Sequence, residues 1–117
     1  MAKTILIIDD DINDTETMKL VLEKEKYKIL TADNGADALD CIKDNRPDAI
    51  LLDIKMPTLS GYDLLRLLRE RLNHKVKMIY VSIIPKCDVD LRDIDGFVQK
   101  PFMPANLIKE VKKARGE

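Results

Sequence analysis

The chain has 117 residues, enough for one domain with a real core and too few for a second folded unit. Its 20 basic and 21 acidic residues nearly cancel, so no global field favours nucleic acid or an anionic membrane, and any interaction has to be local. No apolar run approaches the roughly 18 residues of a membrane span, Met-Ala-Lys-Thr is not a signal peptide, and Cys41 and Cys87 lack CxxC spacing or His-rich company and read as reduced thiols. A cytoplasmic protein is expected.

In chain order, apolar runs of strand character alternate with runs of helical period, five of each, uninterrupted by a linker or repeat. The predicted strands are Thr4 to Ile8, Tyr27 to Ala32, Ala49 to Leu52, Lys77 to Val81 and Gly96 to Gln99. The first, third and fourth lack clean alternation, as central strands buried on both faces do, whereas the second alternates more and belongs nearer an edge. Helical stripes follow at Met18, Val21 and Leu22, at Ala38, Leu39 and Ile42, at Leu64, Leu65 and Leu68, and at Leu107, Ile108 and Val111. Asn34 and Ser60 read as N-caps, and Pro104 fits a first helical position. The weakest helix is the fourth. Pro85 blocks an early start and leaves about two turns, near Asp88 to Ile94. Right-handed crossovers then give an α/β fold, a doubly wound parallel sheet of five strands. The lone His74, in the polar stretch RLNHK, reads as a solvated loop residue.

Polar residues stand at the carboxyl ends of four of these strands: Asp9 and Asp10 after the first, Asp53 after the third, Ser82 after the fourth and Lys100 after the fifth. Ligands of doubly wound sheets bind outside those ends. Two carboxylates about 4 Å apart repel by roughly 4 kcal/mol at an effective dielectric of ~20, and a divalent cation removes that cost. A few hard oxygen ligands completed by water suit Mg²⁺. The competing reading is that Asp9 to Asp11 only cap the first helix, for which one acid would suffice.

With these residues in place, the chain closely resembles the receiver domain of two-component response regulators, over its whole length 1–117. The resemblance rests on the pair Asp9 and Asp10, on Asp53 with Met56, Pro57 and Gly61 in DIKMPTLSG, on Ser82, and on Lys100, Pro101 and Phe102 in QKPF. It implies the flavodoxin-like strand order 2-1-3-4-5 and five βα units. It further implies that Asp53 accepts a phosphoryl group from a histidine kinase or histidine phosphotransfer protein. Mg²⁺, with Mn²⁺ as a substitute, would be held by Asp10, Asp53 and the backbone carbonyl of Lys55, with Asp9 acting largely through water. Lys100 would pair with a phosphoryl oxygen, Ser82 would donate its hydroxyl to another, and Phe97 would be the aromatic that moves with Ser82. The Lys100–Pro101 bond falls where receivers commonly have a cis peptide.

The chain also departs from the usual pattern. Ile83 and Ile84 follow Ser82 where a small residue is usual, and Lys55 lies two residues after Asp53, which restricts water at an acyl phosphate. The short fourth helix carries Asp88, Asp90, Asp93 and Asp95, and like charges on a two-fold face repel, so a monomer that signals by docking on a downstream protein is expected, with no direct contact to nucleic acid or membrane. Such a switch is no enzyme beyond assisting its own phosphorylation and hydrolysis. Two other readings are a degenerate, phosphorylation-independent interaction module and a haloacid-dehalogenase-type phosphatase. The second lacks Thr or Val at Asn13 and has no room for a cap domain.

Overall fold

Runs of Ile, Leu and Val set the strands, and the alternation of their side chains decides which layer each residue joins. The structure, a computed structural model, describes residues 3–72 and 75–116; His74 lies outside the described residues. The strands are β1 (Thr4–Ile8), β2 (Lys28–Ala32), β3 (Ala49–Leu52), β4 (Lys77–Ser82) and β5 (Gly96–Gln99). All pair in parallel in the order β2-β1-β3-β4-β5, the open flavodoxin-like sheet expected from sequence, with β2 at one edge. Four helices flank it: α1 (Ile12–Glu23), α2 (Gly35–Asp44), α3 (Gly61–Arg71) and α4 (Pro104–Ala114).

The period of two in each strand sorts its side chains between two apolar layers. Leu6, Ile8, Ile50, Leu52, Met78, Tyr80 and Phe97 pack with Ala38 of α2 and Leu64, Leu65 and Leu68 of α3. Ile5, Ile7, Leu51, Ile79, Val81 and Val98 face the other way, onto Met18 and Leu22 of α1 and Leu107 and Val111 of α4. The predicted caps are in place: the side chains of Asn34 and Ser60 accept from the N–H groups of Asp37 and Asp63, and Pro104 opens α4.

Two boundaries and one element differ from expectation. Tyr27 is not in β2, because its N–H closes the turn after α1 on the carbonyl of Leu22 (3.3 Å), and β4 runs one residue further, to Ser82. The fourth of five predicted helices is absent. Only a single 3₁₀ turn, Lys86–Asp88, forms between β4 and β5, so four α-helices replace the five βα units. The acids in this segment explain it. Asp90 turns its carboxylate onto the N–H (3.0 Å) and guanidinium of Arg92, and Asp93 adopts a left-handed φ of 62°. Short acidic side chains thus take the backbone donors that a helix would need.

Register positions the site. Ile8 pairs with Leu52, so Asp9 and Asp53 leave the sheet at one level, and Ser82 pairs with Gln99, so Lys100 emerges one step further.

Candidate functional site

Asp9 and Asp53 continue the alternation of β1 and β3, which turns both toward the layer of α1 and α4. Asp9 is 1 % exposed and Asp53 6 %. Asp10 is exposed at the rim. One carboxylate oxygen from each of the three lies within 4.8 Å of the others. The cap of α1 is a separate acid: Asp11 accepts from the N–H groups of Asn13 (2.9 Å) and Asp14 (3.1 Å). Asp9 and Asp10 are therefore not needed for capping, although Asp9 does accept from the N–H of Asp11 (2.9 Å).

Lys100 reaches this cluster from the end of β5. Its N–H is held by the carbonyl of Ser82 (2.8 Å), and the Lys100–Pro101 bond is cis. The ammonium, in a side chain 8 % exposed, lies 2.7 Å from Asp9 Oδ2, 3.0 Å from Asp14 Oδ2 and 3.9 Å from Asp53 Oδ2. Asp14 was not anticipated from sequence. The acid is visible four places after Asp10, but its approach to Lys100 depends on how α1 docks beside the end of β5.

The electrostatics follow from burial in an acidic corner. Burial raises the Asp53 carboxyl to about 6; Lys100 opposes this, while Asp9 and Asp10 add to it. Asp9 is also raised by burial, against hydrogen bonds from Lys100 and the Asp11 backbone. Burial pulls Lys100 down, but its bonds to Asp9 and Asp14 prevail and hold it above the ordinary lysine value. Four carboxylates, from Asp9, Asp10, Asp14 and Asp53, gather in this corner, and among the described residues Lys100 pairs with three of them, Asp9, Asp14 and Asp53. A corner of hard oxygens left this anionic fits a divalent cation such as Mg²⁺.

The loop after Asp53 is fixed by Gly61. Its N–H bonds the carbonyl of Ile54 (2.8 Å), and a Cβ there would come within 2.6 Å of Ile54 Cα. Only a residue without a Cβ lets α3 start so close to the Asp53 backbone.

Ser82 and Phe97 lie on the other face. Ser82 is wholly buried, and its Oγ accepts from the N–H of Ile84 (3.2 Å) rather than meeting the carboxylates. Phe97 is buried opposite Tyr80 in the α2–α3 layer. The side chain of Gln99 ties the carbonyls of Ser82 (3.1 Å) and Ile83 (2.9 Å) to β5. By the alternation of β4 and β5 the two residues share one face of the sheet, opposite to the one that Asp9 and Asp53 continue. Ile84 packs on the same layer, whereas Ile83 is exposed.

A parallel 2-1-3-4-5 sheet carrying acids after β1 and β3 and a lysine after β5 defines a class of protein, and the comparisons agree with it. The family model of the response regulator receiver domain matches residues 5–112, and the chain belongs to that family, the phosphorylation-based signalling modules of two-component systems. The response regulator GtcR of Aneurinibacillus migulanus is 33% identical over 115 residues, covering 95% of this chain and 47% of that protein. The phosphate regulon transcriptional regulatory protein PhoB of Pseudomonas aeruginosa is 34% identical over 117 residues, covering 96% of this chain and 51% of that one. The chain thus spans about half the length of these curated relatives. Among solved structures, the response regulator TrrA of Thermotoga maritima, in complex with Mg²⁺ and BeF, is 33% identical with a TM-score of 0.85, covering 96% of this chain and 98% of that one. The CheY-like receiver domain from Methylobacillus flagellatus is 26% identical with a TM-score of 0.89, covering 97% and 99%. Receivers are signalling switches rather than classical enzymes.

Proposed function

We propose that this chain is a Mg²⁺-dependent switch that takes a phosphoryl group onto Asp53 from a histidine kinase or histidine phosphotransfer protein and passes the signal by docking on another protein. The observation that carries this reading is the convergence of Asp9, Asp10 and Asp53 within 4.8 Å, with Lys100 in ion-pair range of Asp9 and Asp53. In transfer, an Asp53 carboxylate oxygen attacks the phosphorus of the phosphohistidine. A P–O bond forms as the P–N bond breaks, and the imidazole leaves with the electron pair. Phosphoryl transfer asks the protein mainly for positioning and charge neutralisation. Asp10, Asp53 and the Lys55 carbonyl would hold the cation, with Asp9 acting through water; when bound, it supplies the positive charge that lets a carboxylate and phosphoryl oxygens approach. Mn²⁺ would serve in its place. Lys100 supplies a compact charge for a phosphoryl oxygen, a task that needs no bidentate fork.

Ser82 would move its hydroxyl from the Ile84 N–H to the phosphoryl group, pulling on a loop that Phe97 packs beneath. The near balance of charge, with a formal net of -1, favours a protein partner over direct contact with nucleic acid or membrane. No helix among the described residues is long and apolar enough to cross a membrane.

Incubation with acetyl phosphate should add one phosphoryl group to the wild-type chain in Mg²⁺ or Mn²⁺ and none in EDTA, and Asp53→Asn should remain unmodified. Intact-mass analysis decides this; equal labelling of the variant would remove Asp53 from its role. A second expectation concerns assembly. Asp88, Asp90, Asp93 and Asp95 cluster in the segment that replaces the expected helix, and like charges on a two-fold face repel. Light scattering should show a monomer with and without beryllofluoride, at low and at moderate salt; a stable activation-dependent homodimer would refute this output mode while leaving the phosphorylation site untouched.

A further inference from the structure

The Lys100 ammonium has three carboxylates around it, and the one nearest after Asp9 is Asp14, not Asp53. Asp14 lies in the first turn of α1, three residues after the N-cap Asp11. An acid there ordinarily completes a capping box by accepting from the N–H of the cap residue. Here that N–H donates to Asp9 Oδ1, which leaves the Asp14 carboxylate available to Lys100.

The two short contacts differ in how readily they break. Asp9 is buried, and losing Lys100 would strand its charge away from water. The side chain of Asp14 is 37 % exposed, so water replaces the ammonium at little cost. Lys100 has three N–H donors. Of its partners, Asp14 is the one it gives up most easily when a new anion appears at Asp53.

We propose that Asp14 is a positioning residue that competes with the phosphoryl group for Lys100, holding the ammonium toward α1 in the resting protein and so lowering the affinity of the site for a phosphoryl anion. This rests on the reading that Lys100 pairs with a phosphoryl oxygen. The acid acts through Lys100 and touches neither the reacting atoms nor the three-carboxylate cluster. Removing it leaves the ammonium with Asp9 and free to swing toward Asp53, only 3.9 Å away.

The test is a beryllofluoride titration of the full chain in Mg²⁺, followed by NMR, for wild type, Asp14→Asn, Asp14→Glu and Asp11→Asn. The Asp14→Asn variant should bind about threefold to fivefold more tightly, the upper part of the range expected when a partly exposed ion-pair competitor is removed. The conservative Asp14→Glu should stay within about twofold of wild type, and so should Asp11→Asn, which removes a charge from the same turn but retains a capping side chain. In metal-free protein, the side-chain ammonium resonance of Lys100 should change its shift and its exchange with water in Asp14→Asn but not in Asp11→Asn. Equal affinity in wild type and Asp14→Asn, an unchanged ammonium resonance, or the same gain in Asp11→Asn would each overturn the role of Asp14. If wild type bound no beryllofluoride at all, the phosphoacceptor reading itself would fall, and this role with it.

Discussion

In EDTA near neutral pH, Lys100→Met should unfold at lower temperature and lower denaturant than wild type, by the equivalent of about 3 kcal/mol, the scale of breaking a buried ion pair from one side. The ammonium is the positive charge that pairs with Asp9, Asp14 and Asp53, and Asp9, 1 % exposed, has it as its ion-pair partner. Without it, Asp9 and Asp53 are left charged and close together in a poorly hydrated corner. Their carboxyls, already raised by burial, should rise further. A native-state acid with a raised pKa binds protons more readily than the unfolded chain, so the variant should regain stability relative to wild type as pH falls. Mg²⁺ should recover part of the loss at neutral pH by binding the folded state. Denaturant melts of both proteins across pH, with and without Mg²⁺, test this; an unchanged midpoint at neutral pH would mean that the ammonium is not compensating buried charge.

Removing a carboxylate should do the opposite. Asp53→Asn is expected to raise the stability of the metal-free chain near neutral pH by about 1 to 3 kcal/mol, since a carboxyl held at about 6 rather than 3.8 pays up to roughly 3 kcal/mol for being charged in the fold. The folded-state pKa is the higher one, so wild-type stability should increase as pH drops from about 6 toward 3.8, and the advantage of Asn should vanish below that window. Mg²⁺ should stabilise wild type more than the variant, because it binds the charged carboxylate that the variant lacks. A variant that melts below wild type in EDTA at neutral pH would show that Asp53 is already satisfied in the resting fold. With Lys100→Met, the pair of results fixes the sign of the local field: one substitution relieves negative crowding and the other worsens it.

The sheet was legible because its central strands are short apolar runs ending in charged or polar residues. Thr4–Ile8, Ala49–Leu52 and Gly96–Gln99 match the expected bounds, and those same ends located Asp9, Asp53 and Lys100. Caps at Asn34 and Ser60 were readable from local chemistry alone. The fourth helix was misread because the alternation of strands and helices calls for one in the crossover between β4 and β5, near Asp88 to Ile94. The outcome was decided by the intervening acids, whose side chains bond locally, as Asp90 does to Arg92. Propensity at that level is weak beside one well-made turn. Asp14 was missed for a different reason: no periodicity or motif marks it, and its contact spans from α1 to the end of β5. The partition of the site, with the carboxylates and Lys100 toward α1 and α4 but Ser82 and Phe97 toward α2 and α3, was implicit in the alternation of each strand. It became visible only once the register between strands was known.

That register makes the strands intolerant of changes in length, whatever their composition. One residue inserted in β3 would advance Asp53 by about 3.3 Å and turn its side chain to the opposite face, dismantling the carboxylate cluster with every acid still present in the sequence. The same holds for β1 and β5, which deliver Asp9 and Lys100. The stretch from Pro85 to Arg92 carries no such constraint, since it holds no strand and only a single 3₁₀ turn. Insertions and deletions should therefore be accepted there, between β4 and β5, while a gap of one residue inside a strand is enough to abolish the site.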